Sequence, residues 1–157
     1  MAKAIKNDLI KIVEEVTKQL IDFIGVKAEI EVKHVKDQDL VNVDIKADEE
    51  AGLIIGKKGE TINAIQLIIN ASVRTKMGEW HRVYVNVADF REKEVTRLQE
   101  LAQQTVQRAK DTGLPQNLYN LTPSQRRTIH IFLADEKDIV TESTGEGKDR
   151  YLIVKIK

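Results

Sequence analysis

The fold of this chain is decided by the stretch Ile54-Ile55-Gly56-Lys57-Lys58-Gly59-Glu60-Thr61-Ile62-Asn63-Ala64-Ile65. Its two glycines stand between two helical patterns, where a missing side chain permits a tight turn and the close approach of another backbone. We predict a short helix from about Asp48, its N-cap, to Ile55, and a longer helix to about Met77, which Gly78 ends. The glycines therefore mark a tight connection between two helices.

This connection also has the chemistry of a phosphate site. The second helix begins here, so its unpaired N–H groups and the positive end of its dipole point into the loop. Lys57 and Lys58 add two cations at the tip, and Ile55 and Ile62 give an apolar wall beside them. We expect phosphates on one side of the loop and nucleobases on the other.

The competing phosphate motif, the Walker A sequence G-x-x-x-x-G-K-[ST], does not fit this loop. Gly56-Lys57 is followed by Lys58, and Ala51 stands where the motif needs its first glycine. The Gly147-Lys148 pair fails in the same way. A P-loop nucleoside triphosphatase is therefore disfavoured.

Outward from the loop, the first half of the chain has the order α-β-β-α-α-β. Residues 3–24 are typical of an amphipathic helix, with an apolar stripe of Ile5, Leu9, Ile12, Val13, Val16, Leu20 and Phe23. Alternating side chains predict strands over 27–34, 41–45 and 83–87. Asp37-Gln38-Asp39 is the predicted turn of a hairpin between the first two strands.

The second half has the order α-β-α-β-β. Residues 90–112 predict a helix whose inner stripe consists of Val95, Leu98, Ala102, Val106 and Ala109. Weaker signals predict strands over 117–121, 138–143 and 150–156, and a helix from Pro123 to Ala134 that Thr122 caps. We therefore predict an α+β protein of two small α/β modules, residues 1–89 and 90–157.

Composition limits the classes of function. Lys and Arg number 25 and Asp and Glu number 25, so the net charge is zero and a polyanion must be held by a local patch. The chain contains no Cys, which excludes a disulfide scaffold and thiol chemistry and suits a reducing cytoplasm. No apolar run approaches the roughly 18 residues of a spanning helix. We expect no integral membrane segment, metal, cofactor or enzymatic activity.

Aromatic side chains are few. Trp80, the only Trp, precedes the third strand, and we expect it to be a hydrophobic anchor, with base stacking as the alternative. The chain has three Phe, three Tyr and one Trp in 157 residues. Such a low number disfavours the stacking platforms of RRM and OB domains.

A second candidate site lies on the predicted helix over 123–134. Arg126 and His130 are four residues apart, so they share a face of that helix, whereas Arg127 points further out. The buried stripe of the helix consists of Ile129, Phe132 and Leu133. The spacing alone also fits a surface arginine beside a structural histidine.

The first half resembles a KH domain of the prokaryotic, type II arrangement. It matches the core I-I-G-x-x-G-x-x-I-x-x-I, set within the order α-β-β-α-α-β. The resemblance implies that Gly56 and Gly59 let an RNA backbone approach, and that Lys57 and Lys58 contact its phosphates. It also implies a groove for bases lined by Ile54, Ile55 and Ile62.

The segment Pro123-Ser124-Gln125-Arg126-Arg127-Thr128-Ile129-His130 resembles the signature of the R-three-H domain, a small module associated with single-stranded nucleic acid. This implies a second nucleic-acid contact at Arg126 and His130, with Arg127 assisting electrostatically. A KH module, a long helix and this signature, in that order, resemble the bacterial Jag (KhpB) family, as does Asp89-Phe90-Arg91-Glu92. Family members often carry a further small domain before the KH module, whereas this chain starts on the KH helix.

The family resemblance implies a cytoplasmic protein that binds single-stranded RNA and acts in post-transcriptional regulation. It also implies a small single-KH protein as a partner, or self-association. The sequence leaves single-stranded DNA open as a ligand. The alternative function, which the zero net charge favours, is a protein-interaction scaffold at a membrane insertase or a cell-envelope complex, in which the KH module pairs through its strands or helices.

Overall fold

The computed structural model describes residues 2–35 and 40–157, and it confirms the predicted α+β class. The chain divides into two compact units, Met1–Arg91 and Glu92–Lys157. Each unit has its own three-stranded sheet and its own hydrophobic core. The division falls two residues after the predicted boundary at 89/90, because Phe90 packs against the first core.

The first unit has the predicted order of elements. It consists of α1 (Ala2–Ile24), β1 (Glu29–Val35), β2 (Leu40–Lys46), α2 (Ala51–Ile55), α3 (Glu60–Met77) and β3 (Arg82–Val87). The sheet order is β1-β2-β3, with β1 antiparallel and β3 parallel to β2. The predicted turn at Asp37-Gln38-Asp39 lies outside the described residues.

The first core forms between the helices and one face of the sheet. Its members recur with the period of the element that carries them: Leu9, Val13, Val16 and Ile21 on α1, Val41, Val43 and Ile45 on β2, Ile62, Ile65, Ile69 and Val73 on α3, and Val83, Val85 and Val87 on β3. Gly78, at φ +76°, ends α3 as predicted, since its N–H bonds to the carbonyl of Arg74.

Three sequence predictions for this unit are wrong. The helix α2 begins at Ala51 with Glu50 as its N-cap, because residues 48–50 form a turn in which the Asp48 carbonyl accepts the Ala51 N–H. Phe23 is 90% exposed, since Ile21 takes the inward position in the last turn of α1. Trp80 is 62% exposed and is no anchor of the core.

The second unit also keeps its predicted order. It consists of α4 (Phe90–Thr112), whose first two residues belong to the first unit, β4 (Gln116–Leu118), α5 (Pro123–Leu133), β5 (Ile139–Thr144) and β6 (Tyr151–Ile156). The sheet is antiparallel with the order β4-β6-β5, so β6 is the central strand. The strand β4 is shorter than predicted and ends at Leu118.

The second core joins α4, α5 and one face of this sheet. Its buried members are Leu98, Ala102, Val106, Ile129, Leu133, Ile139, Leu152 and Val154. Val95, predicted to face inward, is 42% exposed, because the core begins one turn later at Leu98. The remaining positions of the predicted α4 stripe are buried.

Candidate nucleic-acid interface

The glycine loop connects α2 to α3 through one turn of 3-10 helix, Lys57–Gly59. The chain leaves α2 at Gly56, where φ is +71° and ψ is −179°. Lys58 (φ 54°, ψ 26°) and Gly59 (φ +79°, ψ 15°) are both left-handed, and α3 starts at Glu60. Both lysines are exposed at the N-terminal end of an 18-residue helix. The N–H of Gly59 bonds to the Gly56 carbonyl and that of Glu60 to the Lys57 carbonyl, so the loop presents two cations at the positive end of the helix dipole.

Both glycines are required by the packing of the chain itself. A Cβ atom at Gly56 would lie against the Thr61 side chain and 2.9 Å from the Thr61 backbone nitrogen. A Cβ atom at Gly59 would lie 2.8 Å from Cε1 of Phe90. Positive φ at both positions adds backbone strain for any residue with a side chain. The packing of the chain therefore already explains both glycines. That they also let a nucleic-acid backbone approach stays a prediction.

The three isoleucines predicted to line a base groove do not occupy equivalent positions. Ile54 and Ile62 are fully buried and belong to the first core, so they have no surface with which to touch a base. Ile55 is half-buried and packs against the same core. Direct contact with a base is therefore restricted to Ile55. Ile54 and Ile62 pack the ends of α2 and α3 into the first core.

Side-chain amides hold α3 against the open edge of the first sheet. Asn70 Oδ1 accepts the Val83 N–H at 3.1 Å, and Gln66 Oε1 accepts the Val85 N–H at 3.0 Å. Gln66 Oε1 also accepts a hydrogen bond from Arg91 Nη2 at 3.2 Å. These bonds occupy edge N–H groups of β3 that another strand would otherwise need. Sequence reasoning missed them, because they join residues 13 to 25 positions apart.

The second unit contains a basic cavity of about 400 Å³ between α5 and the β5–β6 hairpin. Its walls combine three arginines and a histidine with two hydroxyls, and they consist of Pro123, Arg126, Arg127, His130, Thr141, Ser143, Arg150 and Leu152. None of these eight residues carries a carboxylate. The cavity therefore has the donors and the charge that suit a phosphate group.

Arg126 and His130 have different roles in this cavity. Arg126 is only 8% exposed, and its Nη1 donates to the carbonyls of Leu121 at 2.7 Å and Arg150 at 3.4 Å. His130 is exposed and hydrogen bonds through Nδ1 to the Thr141 hydroxyl. Both residues line the cavity, as their shared helix face predicts, but Arg126 is buried because its guanidinium bonds to two backbone carbonyls.

Sequence reasoning also missed the strand residues of the cavity. Ser143 lies opposite Leu152 in the β5–β6 register, and Arg150 Nε donates to the Ser143 hydroxyl at 3.0 Å. The positive charge of Arg150 was visible in the sequence, but its proximity to Arg126 depends on this strand pairing. Arg127 is exposed, as predicted.

A capping box sets the start of α5. The Thr122 hydroxyl accepts the Gln125 N–H at 3.3 Å, and Gln125 Oε1 accepts the Thr122 N–H at 2.8 Å. Gln125 Nε2 also donates to Glu94 Oε1 at 2.6 Å. The Arg97 guanidinium hydrogen bonds to Glu94 and lowers the pKa of that carboxyl against the effect of partial burial, and Gln125 acts in the same direction. An ionised Glu94 therefore fixes the cap of the helix that carries Arg126 and His130.

Comparison with known proteins identifies both modules. A model of the KH domain of KhpA and KhpB matches residues 10–87, and a model of the R-three-H domain matches residues 96–155. The chain combines a KH domain of the KhpA/KhpB family with an R-three-H domain. The resemblance inferred from the glycine loop and the Arg-x-x-x-His spacing is thereby confirmed.

The curated relatives of this family are longer than this chain. RNA-binding protein KhpB of Clostridium symbiosum is 29% identical over 91% of this chain and 64% of its own length. The proteins of the same name from Lactiplantibacillus plantarum and Bacillus subtilis are 30% and 31% identical over 85% and 68% of this chain. The chain spans 41% and 52% of those two relatives. These names describe RNA-binding proteins and no enzyme, in agreement with the expectation of a non-catalytic family.

Two further observations concern the described residues, 2–35 and 40–157. None of the helices in these ranges is long and apolar enough to cross a membrane. Within the same ranges, no group of three or more His, Asp or Glu side chains is placed to hold a metal ion.

Proposed function

We propose that this chain binds single-stranded RNA without catalysis, at the glycine loop of the KH domain and at the basic cavity of the R-three-H domain. The observation that carries the proposal is the exposed Lys57-Lys58 pair at the start of α3, within a domain of the KhpA/KhpB family. The relatives are named as RNA-binding proteins, which supports the same ligand. A cytoplasmic, post-transcriptional role is part of the proposal.

At the loop, RNA binding rests on phosphate contacts. Lys57 and Lys58 are exposed on the turn, at the positive end of the α3 dipole. An RNA backbone lying there would be held electrostatically, while Ile55 supplies apolar surface for a base. The footprint of such a module is about four nucleotides.

In the second module, RNA binding rests on the cavity. Arg127, His130 and Arg150 are exposed at its rim, and the hydroxyls of Thr141 and Ser143 lie on its strand side. Arg126 uses Nη1 for two carbonyls, which leaves further N–H donors of its five for a ligand. A phosphate in this cavity would meet several donors at once, as in other arginine-lined anion sites.

The test is fluorescence anisotropy with a degenerate single-stranded RNA ten-mer at two salt concentrations. The Lys57→Asp/Lys58→Asp variant is compared with the unaltered protein, since aspartate tolerates the left-handed backbone of Lys58. The matched control is Lys11→Glu/Lys18→Glu, which changes the net charge equally on exposed positions of α1. A single-stranded DNA of the same sequence serves as a second probe.

We expect the loop variant to bind more weakly and with a reduced salt dependence, by about 0.7 in the logarithmic slope for each lost phosphate contact. The α1 control should bind like the unaltered protein. Equal affinity of all three proteins would remove the loop from the RNA site and leave the cavity. Absence of RNA binding by the unaltered protein would refute the proposed function.

A second candidate function, contact with a protein, is favoured by an apolar groove on the outer side of α3. The groove has a volume of about 420 Å³ and is lined by Leu67, Asn70, Ala71, Arg74, Thr75, Gly78 and Trp80. Pairing through β3 is disfavoured, because the amides of Asn70 and Gln66 already occupy its edge. Sedimentation of the unaltered protein and of Leu67→Asp would detect self-association through this groove, as a mass that falls to that of the monomer in the variant.

A further inference from the structure

Two tyrosines of the second unit form a ring pair at the surface. The ring centroids of Tyr119 and Tyr151 are 4.8 Å apart, and the ring planes are inclined by 38°. Tyr119 is 58% exposed, and its hydroxyl accepts a hydrogen bond from Asn117 Nδ2 at 3.0 Å. The Tyr119 ring is therefore held in a defined place without being buried in the core.

The register of the strands places this pair away from the core. Leu152 and Val154 of β6 are buried in the second core, and neighbouring strand residues point to opposite faces. Tyr151 therefore lies on the outer face of the sheet. Asn117 is paired with Ile153, so the residue that holds Tyr119 lies on that same face.

The two tyrosines lie close in the sequence to residues at the basic cavity. Arg150, which lines the cavity, immediately precedes Tyr151. The carbonyl of Leu121, two residues after Tyr119, accepts a hydrogen bond from Arg126, and the same guanidinium donates to the carbonyl of Arg150 at 3.4 Å. Arg126, in the wall of the cavity, therefore hydrogen bonds to both of the segments that carry the rings. The cavity lies on the core face of the sheet, where Leu152 and its cross-strand neighbour Ser143 line it, whereas the rings lie on the outer face. A single-stranded RNA that passes around this end of the sheet would meet the cavity with a phosphate and the rings with a base.

We propose that Tyr119 and Tyr151 form a stacking site for one nucleobase of a single-stranded RNA that also contacts the basic cavity through its backbone. This inference rests on the RNA binding proposed above and assigns the base-binding surface of the second module. Every base has a π-face, so the site adds affinity with little sequence preference. The low aromatic content of the chain does not prevent it, because two tyrosines from distant segments suffice.

The test uses the full chain and the same RNA ten-mer. Tyr119→Leu removes the exposed ring, and Tyr119→Phe keeps the ring but loses the hydroxyl that Asn117 holds. Phe23→Leu, the same kind of change at a 90% exposed site in the first unit, is the matched control. We expect Tyr119→Leu to bind RNA about tenfold more weakly, as for the loss of one stacked base. Tyr119→Phe should lose less than threefold, and the control should lose nothing.

A ten-mer with abasic sugars separates base contacts from backbone contacts. The difference between Tyr119→Leu and the unaltered protein should disappear with this probe. In a Trp80→Phe background, Tyr119→Trp provides the only Trp, and RNA should quench its fluorescence. Unchanged affinity of Tyr119→Leu, beside loss of affinity in the loop variant, would overturn the stacking site and leave the proposed function standing. Absence of RNA binding by the unaltered protein would refute both.

Discussion

The ring of Phe90 occupies the space that a side chain on Gly59 would need, since a Cβ atom there would stand 2.8 Å from Phe90 Cε1. Gly59 is the last residue of the glycine loop, and Phe90 is the first residue of α4. The ring is half-buried and packs against the first core. The conformation of the loop is therefore linked to the position at which the following helix begins.

Gly59→Ala should destabilise the first unit by about 3 kcal/mol, through left-handed strain and a steric clash with Phe90. Gly78→Ala is the matched control, because its φ of +76° is nearly the same but a Cβ atom there meets nothing within 4 Å. The control should lose only about 1 kcal/mol. Denaturant unfolding followed by circular dichroism measures both values. Equal losses of stability in the two variants would show that the ring of Phe90 moves aside without destabilising the fold.

Gln66→Met should destabilise the first unit by about 1–3 kcal/mol, because it leaves the Val85 N–H and the Arg91 guanidinium without their shared acceptor. Gln103→Met, at an exposed position of α4, should change stability by less than about 0.5 kcal/mol. Hydrogen exchange provides a direct readout, since the Val85 amide should exchange faster in the variant. Unaltered exchange at Val85 would contradict the role given to this amide.

Arg126→Ala and Arg127→Ala should separate stability from binding. Removal of Arg126 leaves the Leu121 carbonyl without a charged donor and should cost about 2–3 kcal/mol. Arg127 is exposed, so Arg127→Ala should change stability by less than about 0.5 kcal/mol while it weakens RNA binding. Unfolding and anisotropy measurements on both variants test this division. An Arg126→Ala protein as stable as the unaltered chain would contradict it.

The second unit should lose stability in acid through Glu94. The hydrogen bond from Arg97 lowers the pKa of Glu94 in the folded protein, so the carboxylate stabilises the fold fully above the unfolded pKa, near 4.5. That contribution is lost as the pH falls through the lowered folded value. Unfolding midpoints measured from pH 7 to pH 3 should therefore fall more steeply for the unaltered protein than for Glu94→Gln.

The control for this pH dependence is Glu100→Gln, which changes an exposed carboxylate on the same helix. Its unfolding midpoint should fall between pH 7 and pH 3 as steeply as that of the unaltered protein. If Glu94→Gln also left the loss of stability at low pH unchanged, the hydrogen bond between Glu94 and the capping Gln125 would contribute nothing to stability.

Local patterns in the sequence predicted most of the elements, because each pattern has one direct physical cause. The glycine loop, the stop at Gly78 and the cap at Thr122 depend on residues close in sequence. The positions of Phe23 and Val95 were wrong, since an apolar stripe on a helix does not show where the facing layer ends.

The candidate sites were predicted only in part, because their geometry depends on contacts between distant residues. The spacing of Arg126 and His130 indicates a shared helix face, but the burial of Arg126 follows from the carbonyls of Leu121 and Arg150. Likewise, the motif around Gly56 does not show that Ile54 and Ile62 belong to the core. Strand register and tertiary packing decide these points.

The position of Phe90 has a consequence for how such proteins recombine. Its ring completes the core of the KH module, although the residue is the first of the helix that leads into the R-three-H module. A gene fragment that ends after residue 89 would encode a KH module without this ring and without the Arg91 bonds to Val85 and Gln66. Exchange of modules between relatives is therefore expected to preserve both folds only when the crossover point lies after Arg91.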